Sequence, residues 1–160
     1  MKRFFTLRSR QAQGFTLIEL LIVIGIIAIL AGIIYVAVDP ARRLQEARDA
    51  ERWGSVNAIL NGVLKYTVDN QGDFPSALVG VDTAPHCIGS GSCPACAATT
   101  TISTSVDLAP DLVDEYLSAI PADPDTGNTT DYYIARSNNG RITVGACQPE
   151  RPGVTISVTR

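Results

Sequence analysis

The sequence predicts an α+β fold, a long N-terminal helix followed by a small antiparallel β-sheet. Three observations predict it. Phe15 to Val38 is an apolar run of 24 residues in which only Thr16, Glu19 and Tyr35 carry polar groups. Beyond it, Leu44, Val56, Ile59, Leu60, Val63, Leu64 and Tyr66 fall near three-four spacing between Ala41 and Asp69, the signature of an amphipathic helix. Further on, Tyr132 to Arg136 and Arg141 to Ala146 flank Asn138-Asn139-Gly140, a hairpin signal between two apolar stretches.

Residues 1–14 form a basic leader, with Lys2, Arg3, Arg8 and Arg10 and no acid. A basic head before an apolar run stays on the cytoplasmic side. The run itself, 15–38, reaches roughly 36 Å as a helix, enough for a hydrocarbon core of about 30 Å. A secretory signal peptide is the plainer alternative. Against it stand the length of the run, the lack of a small-x-small cleavage site after it, and the carboxylate of Glu19 inside it.

Asp39-Pro40 then either restarts the helix or kinks a continuous one. Residues 39–70 continue as the amphipathic half. Its first part, rich in Arg42, Arg43, Glu46, Arg48, Asp49, Glu51 and Arg52, reads as solvated. Asn70-Gln71-Gly72-Asp73 and Pro75 end it. Residues 71–160 make a globular region that opens with a long irregular stretch containing a cysteine loop, 79–104. A short helix is expected at Asp111–Ala119, a turn cluster at Asp123–Asn128, and a third strand at Val154–Val158.

The chain has 160 residues and a net charge of −3. The leader carries +4, which leaves −7 on the remainder. That acidic balance argues against nucleic acid as a main partner. The globular region can build only a small core and needs additional support. Four cysteines lie beyond the run, Cys87, Cys93, Cys96 and Cys147. An even count in an exported region favours disulfides, with the pairing open. His86 with Cys87, the Cys93-Pro94-Ala95-Cys96 knuckle and Cys147 also offer a zinc set, and a CxxC can be a redox pair. Against zinc, there is one CxxC and irregular spacing; against redox, no βαβ pattern surrounds it.

Gly14-Phe15-Thr16-Leu17-Ile18-Glu19-Leu20, behind the leader and ahead of the run, resembles the class III signal of type IV prepilins and type II secretion pseudopilins. Arg48-Asp49-Ala50-Glu51-Arg52, Tyr66, Gly72-Asp73-Phe74-Pro75, and Tyr116-Leu117 through Ile120-Pro121-Ala122-Asp123-Pro124 before Tyr132-Tyr133 are similar to pseudopilin-G-like pilins. The cysteine loop has no counterpart in that pattern. The resemblance implies the pilin fold, with the second half of the long helix packed on the sheet. It implies that a prepilin peptidase cuts between Gly14 and Phe15, removing residues 1–14, and that the new Phe15 amine is N-methylated. It also implies that Glu19 pairs with the amine of Phe15 on a neighbouring subunit. A lone carboxylate in the run would cost ~2.5–3.5 kcal/mol at mid-bilayer, so such a partner has a physical reason.

The function expected on this basis is that of a non-enzymatic subunit of a type IV pilus-like filament. It starts as a single-pass membrane protein and ends in an extracellular or periplasmic filament. Its expected partners are other pilins in a homo- or hetero-oligomer, the peptidase and an inner-membrane assembly platform. A type II secretion pseudopilin is the alternative. A membrane-anchored metal-binding or thiol-redox module is a third reading. Asp123, Asp125 and Asp131 around Thr126-Gly127-Asn128 are candidate calcium ligands, since oxygen-rich turns suit calcium and some pseudopilins hold calcium in a loop near here. Ordinary Asx-turn roles are the competing reading. No nucleophile–base pair or phosphate loop stands out, and His86 is the only histidine.

Overall fold

The structure is a computed structural model that describes residues 14–80, 83–93, 95–99, 102 and 104–160. Lys2, Arg3, Arg8 and Arg10 of the leader and Pro94 of the CxxC lie outside the described residues. The chain divides into an N-terminal unit ending at Pro40 and a second unit from Ala41 to Arg160.

The apolar run forms α1, Leu17–Val38, and none of its residues is buried. Its 22 residues rise about 33 Å, a length and composition suited to crossing a membrane. The helix stops at Asp39, which adopts a left-handed φ of 44°. Aspartate enters this region more readily than most non-glycine residues. Pro40 then opens α2, Pro40–Asp69, at a position where its missing N–H costs nothing. Asp39-Pro40 thus marks a helix restart.

Within α2, Val56, Ile59, Leu60 and Val63 are buried, and their i, i+3, i+4, i+7 spacing puts them on one face. They pack in one core with Tyr132, Ile134, Ile142 and Val144 of the sheet and with Leu78, Leu108, Leu112 and Ile156. The first part of α2 departs from expectation: Asp49 and Arg52 are buried, with Arg52 only 1% exposed.

The sheet has five strands: β1 (His86–Ile88), β2 (Ser105–Val106), β3 (Tyr132–Arg136), β4 (Ile142–Ala146) and β5 (Ser157–Thr159). Their order is β2-β1-β3-β4-β5. β1 and β2 run parallel, and the other pairs are antiparallel. The sheet is therefore mixed, and the stretch expected to be an irregular cysteine loop supplies its strand β1, with β2 just beyond it. The expected third strand is shorter and later, at β5. The expected helix at 111–119 contracts to α3, Ala109–Leu112, because Val113 turns extended and Asp114 takes a φ of 76°.

The hairpin forms where expected. Gly140, with φ 78°, donates its N–H to the Ser137 carbonyl at 2.9 Å. Tyr133 lies opposite Gly145 across the β3–β4 pair. A Cβ on Gly145 would fall 2.5 Å from the Tyr133 ring, so the glycine leaves the space that the buried ring fills. Gly145→Ala should therefore destabilise the second unit by roughly 1–3 kcal/mol through overpacking. The check is a lower urea midpoint at unchanged slope; a wild-type midpoint would mean that the ring relocates freely.

Candidate functional site

Gly14, Phe15 and Thr16 precede α1 and are not helical. Phe15 is 82% exposed. Thr16 is the N-cap, with extended φ −78° and ψ 148°. Its hydroxyl accepts the Glu19 N–H at 3.3 Å. In return, Glu19 Oε2 accepts the Thr16 N–H at 2.9 Å and the Thr16 hydroxyl at 2.8 Å. This is a complete capping box. It satisfies helix-end donors that lack intrahelical partners. The sequence reading singled out Gly14, Phe15 and Glu19 but gave Thr16 no role. The T-x-x-E spacing just inside the apolar run was the signal for it.

The cysteines pair as Cys87–Cys93 and Cys96–Cys147. The two halves of the CxxC thus go to different partners, so it is not itself a redox pair. All four sulfurs are spent, which leaves none of these thiolates for zinc. Closing the 51-residue separation of Cys96–Cys147 is worth about 4 kcal/mol in the chain-entropy model. The Cys147 carbonyl also accepts the N–H groups of Ala97 and Ala98, so the loop is joined to the end of β4 by backbone as well as by sulfur. His86, in β1, has its Nδ1 3.1 Å from the Thr104 hydroxyl.

The expected turn carboxylates have other work. Asp123 accepts from Arg52 Nε at 2.6 Å and Nη2 at 2.9 Å, and from the backbone N–H groups of Asp125 and Thr126. Asp131 accepts from the Thr126 hydroxyl, and Asp125 is exposed. Among the described residues, no group of three His, Cys, Asp or Glu side chains is placed to hold a metal ion. The three aspartates named as candidate calcium ligands are not brought together as a ligand set.

Arg52 instead organises a buried ionic cluster. Its Nη1 donates to Asp49 at 3.1 Å and to Glu150 at 2.9 Å. Arg48 pairs with Glu150, and Arg151 with Asp49. Burial pushes Asp123 up, but Arg52 and the turn N–H groups outweigh it and hold the carboxyl below its usual range. Burial also pushes Asp49 up; the N–H groups of Glu150 and Arg151, with Arg52, bring it below its usual value. Arg48 first, then Arg52, holds Glu150 low. Arg52 is raised, first by its bond to Asp123.

Two parts thus define the class: a capped helix suited to a membrane span, and a small α+β unit closed by two disulfides. Residues 9–35 match the family model described as the prokaryotic N-terminal methylation motif. That motif is the class III signal carried by type IV pilins and pseudopilins, and over these residues the chain is similar to that family. No curated protein and no solved structure matches the chain.

Two outcomes follow from the cluster and the sulfurs. Removing one partner of a buried ion pair leaves the other charge uncompensated, at ~3–5 kcal/mol. Asp123→Asn should destabilise by about 3 kcal/mol, since Asp49 and Glu150 still face Arg52. Because the folded carboxyls are lowered, their contribution is present above the ordinary carboxylate range and is lost as pH falls through their lowered values. Acid titration of unfolding should thus show a shallower loss for Asp123→Asn than for wild type, and parallel curves would contradict this. For the sulfurs, peptide mapping without reduction should recover Cys87–Cys93 and Cys96–Cys147 and no free thiol. A different pairing would refute the connectivity.

Proposed function

We propose that this chain is a structural, non-enzymatic subunit of a type IV pilus-like filament. The observation that carries the reading is the N-terminal methylation motif over residues 9–35, in register with Gly14, Phe15 and Glu19 at the head of an unburied apolar helix. On this reading the subunit waits in the membrane by α1, with its acidic unit on the far side from the leader. Prepilin peptidase cuts between Gly14 and Phe15, and the new amine is methylated. The assembly platform then moves the subunit into a filament in which α1 helices bundle with those of other pilins. There the Glu19 carboxylate meets the Phe15 amine of a neighbour, which offsets the burial of both charges.

A pseudopilin of type II secretion is the second reading. It draws on the two stretches similar to pseudopilin-G-like pilins, Arg48–Arg52 and Ile120–Pro124, which the Arg52–Asp123 pair joins. Purified surface filaments containing this chain favour the pilus, and a chain confined to a secretion complex favours the pseudopilus.

Processing and assembly are tested separately. Mature protein should begin at Phe15 with a methylated amine, and Gly14→Val should block trimming; an intact leader on assembled protein would sink the reading. Glu19→Ala should still be trimmed and inserted, because it removes a costly group from the run. Its filament yield should fall at least about a hundredfold, from an uncompensated amine at ~3–5 kcal/mol. Glu19→Asp should fall between the two. Wild-type filament levels from Glu19→Ala would remove the pairing argument.

A further inference from the structure

Residues 10–13 read Arg-Gln-Ala-Gln, all good helix formers. The run after Phe15 is helical. In that composition only Gly14 opposes a helix running through the bond between Gly14 and Phe15. A helical peptide bond is a poor protease substrate. Its N–H and C=O are engaged in the ladder, and side chains crowd the carbonyl carbon. Cleavage concentrates where backbone lies outside such ladders.

In the structure the helix stops short of that bond. To continue upstream, the Thr16 N–H would have to reach the carbonyl four residues earlier. It is held instead by the Glu19 carboxylate at 2.9 Å, while the Thr16 hydroxyl takes the Glu19 N–H. Thr16 itself is extended, and Gly14 and Phe15 are non-helical.

We propose that Thr16 is a positioning residue for leader removal: its cap fixes the start of α1 and so presents the Gly14–Phe15 bond to the peptidase as extended backbone. This rests on the processing reading above and adds a residue that the reading does not need. The step is a hydrolysis. Water gives its hydroxyl to the Gly14 carbonyl carbon, the C–N bond breaks, and the Phe15 nitrogen takes the remaining proton, with no change in oxidation state. Thr16 touches none of these atoms. Glu19→Ala keeps the bond from the Glu19 N–H to the Thr16 hydroxyl, so it is compatible with trimming.

The test separates capping from shape. Valine copies the outline of threonine without an acceptor, whereas asparagine differs in outline and is a strong N-cap. Full-length precursor in detergent micelles is incubated with prepilin peptidase, and leader loss is timed by mass spectrometry. Thr16→Asn and Thr16→Ser should be cut within about twofold of wild type, and Thr16→Val about fivefold more slowly. Backbone NMR of the same precursors should show Phe15 and Thr16 moving toward helical shifts in Thr16→Val only. Equal rates for Thr16→Val and wild type overturn the proposal, because the cap is then irrelevant. Thr16→Asn as slow as Thr16→Val also overturns it, because the peptidase then reads the threonine side chain. A wild-type precursor left intact refutes the processing reading itself, and is told apart because every variant then stays uncut.

Discussion

The second unit depends on burying Arg52. A guanidinium keeps its charge under all ordinary conditions and carries five N–H donors, so it cannot leave water without acceptors on several sides. Those acceptors come from distant parts of the chain: Asp49 one turn back in α2, Asp123 in the turn before β3, and Glu150 after β4. Asp49 in turn accepts the backbone N–H groups of Glu150 and Arg151. Three cations, Arg48, Arg52 and Arg151, face three carboxylates, so the set closes without net charge. Apolar side chains of equal volume could match its stability. They would not match its direction, because a bidentate Arg–carboxylate pair admits one orientation of α2 against the sheet.

That constraint also explains where the fold was legible in the sequence and where it was not. Long apolar patterns carried over well: the run became α1, the three-four spacing of Val56 to Val63 became the buried face of α2, and Asn138-Asn139-Gly140 became the hairpin turn. Short elements left no period to read. β2 has two residues and β1 three; β1 takes its place in the sheet by pairing with β3, a contact between segments far apart, and β2 by pairing with β1. The parallel β1–β2 pair was hidden for the same reason. Arg52 and Asp49 were read as solvated because hydropathy scores a side chain alone, whereas a buried ion pair is a property of several residues together. The repeated acids and bases of Arg48 to Arg52 were visible, but their partners at Asp123 and Glu150 were not in the same window.

The site divides in the same way. The methylation motif over residues 9–35, which contains Gly14, Phe15 and Glu19, was legible because it is a linear string, and a linear string survives without tertiary structure. The cysteine pairing was not legible. Cys93 and Cys96 share a knuckle but bond to opposite sides, Cys93 back to Cys87 in β1 and Cys96 forward to Cys147 after β4. Only the sheet order, which sets β1 one strand away from β4 across β3, makes that arrangement natural. The turn aspartates allow two readings because a hydrogen-bonded Asx turn and an oxygen-rich ion loop use the same residues. Of the three, Asp123 bonds the Arg52 guanidinium.

Glu19 then has to be accounted for in two environments. In a lone subunit its carboxylate lies within the segment suited to spanning lipid, where an unpaired charge is disfavoured. The two bonds from Thr16 supply partners there, drawn from a helix end whose N–H groups would otherwise lack acceptors, and the positive end of the helix dipole favours the same charge. On the proposed assembly, the Phe15 amine of a neighbour becomes a further partner. That amine does not exist until the leader is cut, since in the precursor the Phe15 nitrogen is an amide. The carboxylate can therefore be held at home before processing and gain its ionic partner only after it. The balance between the two states depends on how far Glu19 must give up Thr16 to reach the amine: the tighter the local cap, the smaller the net gain on assembly. A carboxylate that kept one Thr16 bond with one oxygen and used the other for the amine would lose least, because each carboxylate oxygen accepts independently.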